Sequence, residues 1–297
     1  MTKYNISSPI FLIFLLVCMH FAFQYSFQAP QLIEKYDGQT RSFNGANAVK
    51  NLNDYLPNNL PHPVMSTNNA KLRQRIISNL KSYGYSPEIQ VEMSCNFKRR
   101  HKQKHKKCVI IYNIVSKSPN AGMLPAMLMM AHYDSVPNSP GVGDDMAAVA
   151  ALSEIMRQIK SLNFSNDIIF LFTDGEEYGL LGANAFAKNH PYFKHVGIVL
   201  NFEGRGNNGP SMLFETGNAN AAMLTKYFKY SRTPHGSSLY DLIYQYMPND
   251  TDFTVFRKLG LTGLNFAFSD APNYYHSKND TVEKMKNPAA SSGVSEH

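Results

Sequence analysis

Three observations predict an α/β fold for this chain of 297 residues, as a three-layer α/β/α sandwich around a mostly parallel, mixed central sheet. From about residue 123 onward, apolar strand-like runs alternate with stretches of helical spacing, which is the pattern of a parallel sheet with helices on both faces. Hydrophobic residues make up 43% of the chain, enough at this length for one large core or two modest ones. The chemically distinctive residues fall at strand ends and helix starts, where such a sheet presents its functional loops. No internal repeat and no second domain is visible.

The elements follow in order. Lys3 precedes an apolar stretch, Ile10 to Met19, that resumes after His20 through Phe23. That length is short for a spanning helix and right for a signal-peptide core. Residues 1–30 therefore read as a signal peptide or signal-anchor, and 31–297 as an exported domain, periplasmic, luminal or extracellular. Ala22 and Ala29 have bulky neighbours where a cleavage site wants small ones, so membrane attachment through an uncleaved leader stays open. Residues 31 to 45 are polar and read as a tether. Ala46 to Tyr55 has helical spacing, and PNNLPHPV is broken by proline. Asn68 and Asn69 introduce a helix with Leu72, Ile76, Ile77 and Leu80 on one face and Gly84 as its stop.

VEMSCNF and CVIIYNIV then read as the strands of a hairpin. Cys95 and Cys108 face each other across it, as a disulfide or as two free buried thiols. The loop between them, KRRHKQKHKK at 98–107, holds seven Lys or Arg and no acid. It accounts for the whole net charge of +7, since 22 basic and 22 acidic residues remain elsewhere. No aromatic residues interleave those charges, so nucleic acid is not the expected partner. The run reads as a solvated loop or as a contact for anionic lipid headgroups. His101 and His105 have the i, i+4 spacing of a zinc pair, but the surrounding cations would repel a metal.

Beyond the hairpin come the strand MLPAMLMMAHYD, a Pro/Gly loop and a helix from Met146 to Lys160. Strand DIIFLFTD leads into a short helix near Leu180 to Lys188. Strands VGIVLNFE and SMLFETG, a helix Ala221 to Tyr230, a helix Asp252 to Leu259 and strand LTGLNFAF complete the alternation.

Five side chains of metal-binding type are spaced along this half of the chain: His132, Asp144, Glu177, Glu203 and His276. Two imidazoles and three carboxylates make a mixed nitrogen and oxygen set that suits a pair of zinc ions. His132 and Asp134 form H-x-D at a strand end, where i and i+2 share a face. Asp134 is expected to accept the second ring N–H of His132 and fix its tautomer. Asp144 and Asp145 follow a glycine-rich turn and either cap the next helix or, for Asp144, bridge two metals. Glu176 and Glu177 end FLFTDGEE, where one can ligate and the other reach a water as general base. Glu203 is a lone acid after an apolar run, to be paired with Arg205 or with a metal.

The series HYDS, G-x-x-DD, GEE, NFE and YH-x-x-x-D resembles metallopeptidase family 28, the co-catalytic zinc aminopeptidases, and within it the membrane-anchored branch. The resemblance runs from about Phe43 to Met285. It implies one zinc on His132, Asp144 and Glu203, and a second on Asp144, Glu177 and His276. Asp144 then bridges, Glu176 is the base, and the Asp144–Asp145 peptide bond is cis. It also implies an exopeptidase acting on peptide substrates, foremost an aminopeptidase in which Glu176 activates a metal-bridging water. The family continues past the NPA motif with a long helix, whereas NPAASSGVSEH lacks apolar periodicity and reads as a truncated or diverged end.

Other readings remain on this framework. A glutaminyl cyclase is one, although those enzymes line the substrate with tryptophan and this chain has none. A carboxypeptidase is another, if Arg205 grips a substrate carboxylate rather than a neighbouring acid. The non-enzymatic reading is a silent anchored receptor or scaffold. Tyr240, Tyr244, Tyr246, Tyr274 and Tyr275 supply phenols that either line a pocket or pack in the core.

Overall fold

The computed structural model describes residues 7–26, 43–100, 103–118, 123–231, 233–247 and 249–285. The tether as far as residue 42, the side chains of the basic run and the C-terminal tail lie outside the described residues.

Residues 7–26 form helix α1 (Ser7–Ser26), whose apolar side chains from Ile10 to Phe21 are exposed. Among the described residues, no helix is long and apolar enough to cross a membrane. Helices α2 (Gly45–Tyr55) and α3 (Thr67–Ser82) start where polar side chains satisfy free amides. The Asn44 side chain accepts from the Asn47 amide, and Ser66 from the Asn69 amide, the usual chemistry of a helix start. Gly84 closes α3 with φ +83°, a left-handed backbone that favours glycine.

Strands β1 (Glu88–Arg100) and β2 (Gln103–Lys117) form the expected hairpin, in register with Cys95 opposite Cys108. Those two cysteines are disulfide-bonded. The remaining strands are β3 (Met123–His132), β4 (Asn166–Thr173), β5 (Val196–Gly204), β6 (Met212–Thr216) and β7 (Thr262–Phe268). They join one seven-stranded sheet in the order β1-β2-β4-β3-β5-β7-β6. Strands β4, β3, β5 and β7 run parallel at its centre, and the antiparallel pairings lie at the two sides.

Alternation along the central strands divides the core into two. In β4, Phe170 and Phe172 face α2, α3 and α4 (Ala147–Ile159), together with Phe202, Phe266 and Phe268. Ile169 and Leu171 face the other way, with Leu128, Met130 and Val199, onto α5 (Leu181–Asn189) and α8 (Asp252–Lys258). Two apolar faces on one sheet require helices on both, which is the three-layer sandwich.

Between β6 and β7, α6 (Ala221–Tyr230) matches its expected bounds, and α7 (Ser238–Gln245) is an unforeseen helix. Its first turn is capped by Ser237, and its Leu239, Leu242 and Ile243 are exposed. Only Tyr244 of the five tyrosines named above is buried, edge-on to Phe214.

Candidate metal centre

The carboxyl ends of β4, β3, β5 and β7 are neighbours in the sheet, and each delivers part of one cluster. His132 is the last residue of β3, Glu203 lies at the end of β5, Glu176 and Glu177 follow β4, and His276 sits in the loop after β7. Asp144 comes from a tight turn, Val142–Met146, that enters α4 and contains the cis Asp144–Asp145 bond.

Two triads of donor atoms result. His132, Asp144 and Glu203 form one, and Asp144, Glu177 and His276 the other, with all donors of each triad within 4.8 Å of one another. His132 Nε2 is 3.1 Å from Asp144 Oδ1 and 3.6 Å from Glu203 Oε2. His276 Nε2 is 3.0 Å from Asp144 Oδ2 and 2.9 Å from Glu177 Oε1. Asp144 thus turns one oxygen to each triad. Ligands about 2.0–2.2 Å from a tetrahedral zinc stand about 3.3 Å apart, so these separations fit a shared cation. Glu177 Oε1 and His276 Nε2 are also buried without a hydrogen-bond partner despite their closeness, as two lone pairs aimed at one point would be.

Electrostatics point the same way. Burial opposes a charged His276, yet the adjacent Asp144 and Glu177 carboxylates carry its pKa up to about 9. Burial likewise opposes a charged His132, but Asp144 and Glu203 hold it well above its ordinary value. Both imidazoles thus sit where neighbouring carboxylates favour a positive charge. Burial pushes Glu176 well up, with His132 opposing and Glu203, Asp252 and Glu177 adding to the rise. Such a carboxyl is suited to taking up and releasing a proton.

Asp134 differs from expectation. Its carboxylate is 3.7 Å from His132 Nδ1, which instead faces the Asp134 backbone carbonyl at 2.9 Å. The carboxylate accepts the amides of Glu176 at 3.0 Å and Glu177 at 3.3 Å. The main-chain carbonyl of Asp134 thus meets the imidazole, and the side chain orients the neighbouring turn. Arg205 also departs from its expected pairing with an acid, and its guanidinium donates to the Tyr275 hydroxyl at 3.1 Å.

Several supporting contacts could not be read from the sequence, although Asp145 and Asp280 stand in its motifs. Asp280 accepts the amides of Gly143 at 2.8 Å and Asp144 at 3.4 Å, and also binds Asn207. Asn201 donates to Glu203 Oε1 at 3.0 Å. Asp145 Oδ2 accepts the His132 amide at 3.3 Å. Only the spacing of Asp280 from His276 hinted at any of these.

The turn bearing Asp144 lies directly on the end of β5. A Cβ on Gly204 would collide with the Gly143 carbonyl oxygen. Gly204→Ala is therefore expected to displace both the Asp144 turn and the adjacent Glu203, costing about 1–3 kcal/mol. Its unfolding midpoint and zinc content should both fall, whereas a fall in stability with full zinc content would refute the coupling.

The carboxyls also set a pH response for metal-stripped protein. Burial raises Asp252 to about 7 and Asp174 and Asp280 to about 6, against an ordinary value of 3.8. The fold keeps these protons longer than the unfolded chain does, so their contribution is complete below about pH 4. It is lost as pH rises through 6 to 7. Denaturant midpoints of chelator-treated protein should be lower at pH 8 than at pH 5, and the reverse order would contradict this account.

The fold and this arrangement have known counterparts. The model of peptidase family M28 matches residues 111–293, and the chain belongs to that family. A vacuolar membrane protease of Candida albicans is 38% identical over 174 residues, covering 58% of this chain and 20% of the relative. The chain thus spans about a fifth of the length of the curated relatives it matches. Among solved structures, an aminopeptidase from Aneurinibacillus sp. strain AM-1 superposes with a TM-score of 0.68 at 14% identity, over 85% of this chain and 92% of that one. A zinc aminopeptidase from Bacillus subtilis gives 0.62 at 13%, over 84% and 92%. A glutaminyl cyclase from Bacteroides thetaiotaomicron gives 0.65 at 16%, over 90% and 97%. At these identities the likeness is one of fold, and that fold carries both activities.

Proposed function

We propose that the chain is a zinc-dependent exopeptidase, foremost an aminopeptidase, that hydrolyses the bond after a free N-terminal residue. The observation that carries this reading is the Asp144 carboxylate, turned by one oxygen to each of two histidine-carboxylate triads. His132, Asp144 and Glu203 would hold one ion, and Asp144, Glu177 and His276 the other. Bound there, zinc supplies Lewis acidity to a carbonyl and brings the acidity of water toward neutrality.

The chain's own groups supply the proton chemistry and the positioning. Glu176 takes the proton of the attacking water on its carboxylate and returns it to the leaving nitrogen as the C–N bond breaks. Asp134 holds the Glu176 and Glu177 amides, which fixes base and ligand relative to each other. Asn201 orients Glu203, and Asp280 clamps the Asp144 turn.

The disulfide supports an oxidising, exported location. The exposed apolar side chains of α1, together with the name of the Candida relatives, support association with a membrane on its luminal or extracellular side. The test is zinc content measured together with hydrolysis of aminoacyl-amides by protein lacking residues 1–29. Two zincs per chain with turnover is the expected result. Pyroglutamate formation from an N-terminal glutamine peptide without cleavage would replace this reading by the cyclase, and folded protein without zinc would end it.

A further inference from the structure

We propose that Arg205 is a carboxylate anchor that makes this enzyme select short peptides whose leaving residue carries a free α-carboxylate, above all dipeptides. The inference rests on the exopeptidase reading of the site and names its substrate class.

Arg205 lies two residues beyond Glu203, and its amide donates to the Phe268 carbonyl at 2.8 Å, which pins the backbone to the end of β7. The guanidinium reaches the Tyr275 hydroxyl with Nη1 at 3.1 Å, and its Cζ lies 5.3 Å from the Tyr275 ring centroid. That ring stacks on the imidazole of His276 at 3.8 Å. One aromatic ring therefore separates the guanidinium from a donor of the second triad.

A guanidinium has five N–H donors, and one of them is engaged here. Among the described residues, no carboxylate lies within ion-pairing distance of Arg205, whose guanidinium donates to Tyr275, although Glu203 and Asp144 are near enough to favour its charge. Two other half-buried arginines do have counter-ions: Arg157 holds Glu154 at 2.7 Å and Arg257 holds Glu215 at 3.0 Å. With Glu203 and Asp144 committed to the triads, the partly buried guanidinium whose charge they favour still has donors to offer an anionic ligand. The planar fork of arginine matches a carboxylate through two parallel hydrogen bonds.

The reach fits one residue. The attacked carbonyl must lie beside Glu176 and the two triads, and one further residue of extended chain covers about 3.3–3.6 Å. The guanidinium Cζ stands 5.3 Å from the Tyr275 centroid and that centroid 3.8 Å from the His276 ring, and it is the α-carboxylate one residue past the scissile bond that we place at the arginine fork. A longer peptide places an uncharged amide there and leaves the guanidinium without its partner.

The test compares zinc-loaded wild type, Arg205→Ala and Arg205→Lys on Leu-Ala, Leu-Ala-amide and Leu-Glu-amide. In parallel, calorimetry measures binding of the same three ligands to Glu176→Gln, with and without Arg205→Ala. Wild type should favour Leu-Ala over Leu-Ala-amide by about 10–100-fold in kcat/KM, the range of a charge-assisted hydrogen bond. Arg205→Ala should bring that ratio near one, mainly through KM, and Arg205→Lys should restore part of it. The calorimetric ratio should move in the same way. If nothing is hydrolysed but that binding ratio holds, the peptidase reading fails and the anchor stands. Equal preference for Leu-Glu-amide would move the recognised carboxylate to a side chain and overturn the α-carboxylate assignment. A ratio that Arg205→Ala leaves unchanged, or an equal loss on all three peptides, would overturn the anchor.

Discussion

Glu176→Gln is expected to keep its zinc and its fold and to lose about 10²–10⁴-fold in kcat, the usual yield of a positioned acid-base group. The argument begins with what the substitution leaves intact. Glu176 belongs to neither donor triad, and its turn is held by the main chain, through the amide that donates to Asp134 at 3.0 Å. Glutamine has nearly the same shape and keeps that amide. What it loses is a carboxylate that can accept a proton and hand it on. Burial, with nearby Glu203, Asp252 and Glu177, already disfavours charge at this position, so a neutral side chain relieves repulsion in metal-stripped protein. The variant should then be as stable as wild type, or slightly more so, when chelated. The effect should sit in kcat with KM little changed, because the lost interaction belongs to the transition state. A zinc-loaded variant within tenfold of wild type would remove Glu176 from the role of base, and loss of zinc would make it a ligand instead.

The architecture and three of the five ligand candidates, His132, Glu177 and Glu203, were legible in sequence for a physical reason. In a parallel sheet the carboxyl ends of neighbouring strands converge, so acids and histidines at the ends of AMLMMAH, IIFLFT and IVLNFE are brought together by topology alone. The order β4-β3-β5-β7 does that here. Local pattern says nothing about contacts made across the chain, and the residues that went unread are of this kind. Asp280 reaches Gly143 from 137 positions away. The H-x-D spacing places Asp134 beside His132, but whether its carbonyl or its carboxylate meets the imidazole depends on the backbone path beyond β3. The sequence offers Arg205 one nearby acid, Glu203 two residues before it, whereas in the fold its backbone clamp turns it to Tyr275. Helix α7 was missed because SSLYDLIYQYM keeps its apolar residues exposed, so aromatic content masked the helical period.

Asp144→Asn carries the other large expected effect, the loss of both ions by one substitution. Each oxygen of this carboxylate belongs to a different triad, Oδ1 with His132 and Oδ2 with His276. An asparagine amide keeps one oxygen and replaces the other with an NH₂ that has no lone pair to offer a metal. It also removes the negative charge that two neighbouring dications would share. His276→Ala, in contrast, withdraws a donor from one triad only, and the first triad keeps all three of its members. Metal analysis should therefore give close to none per chain for Asp144→Asn and close to one for His276→Ala. Stability should follow the same division, since a ligand that binds only the folded state stabilises it by about 2.7 kcal/mol at a hundredfold excess over Kd. Zinc should raise the unfolding temperature of wild type most, of His276→Ala by part of that amount, and of Asp144→Asn hardly at all. Folding itself is expected to survive, because Asp280 holds the turn through the Gly143 and Asp144 amides, which the substitution does not touch. Two zincs retained by Asp144→Asn would show that the triads do not share a ligand. A single zinc lost from both variants alike would reduce the centre to one ion, the stoichiometry on which a cyclase-like chemistry would have to be built.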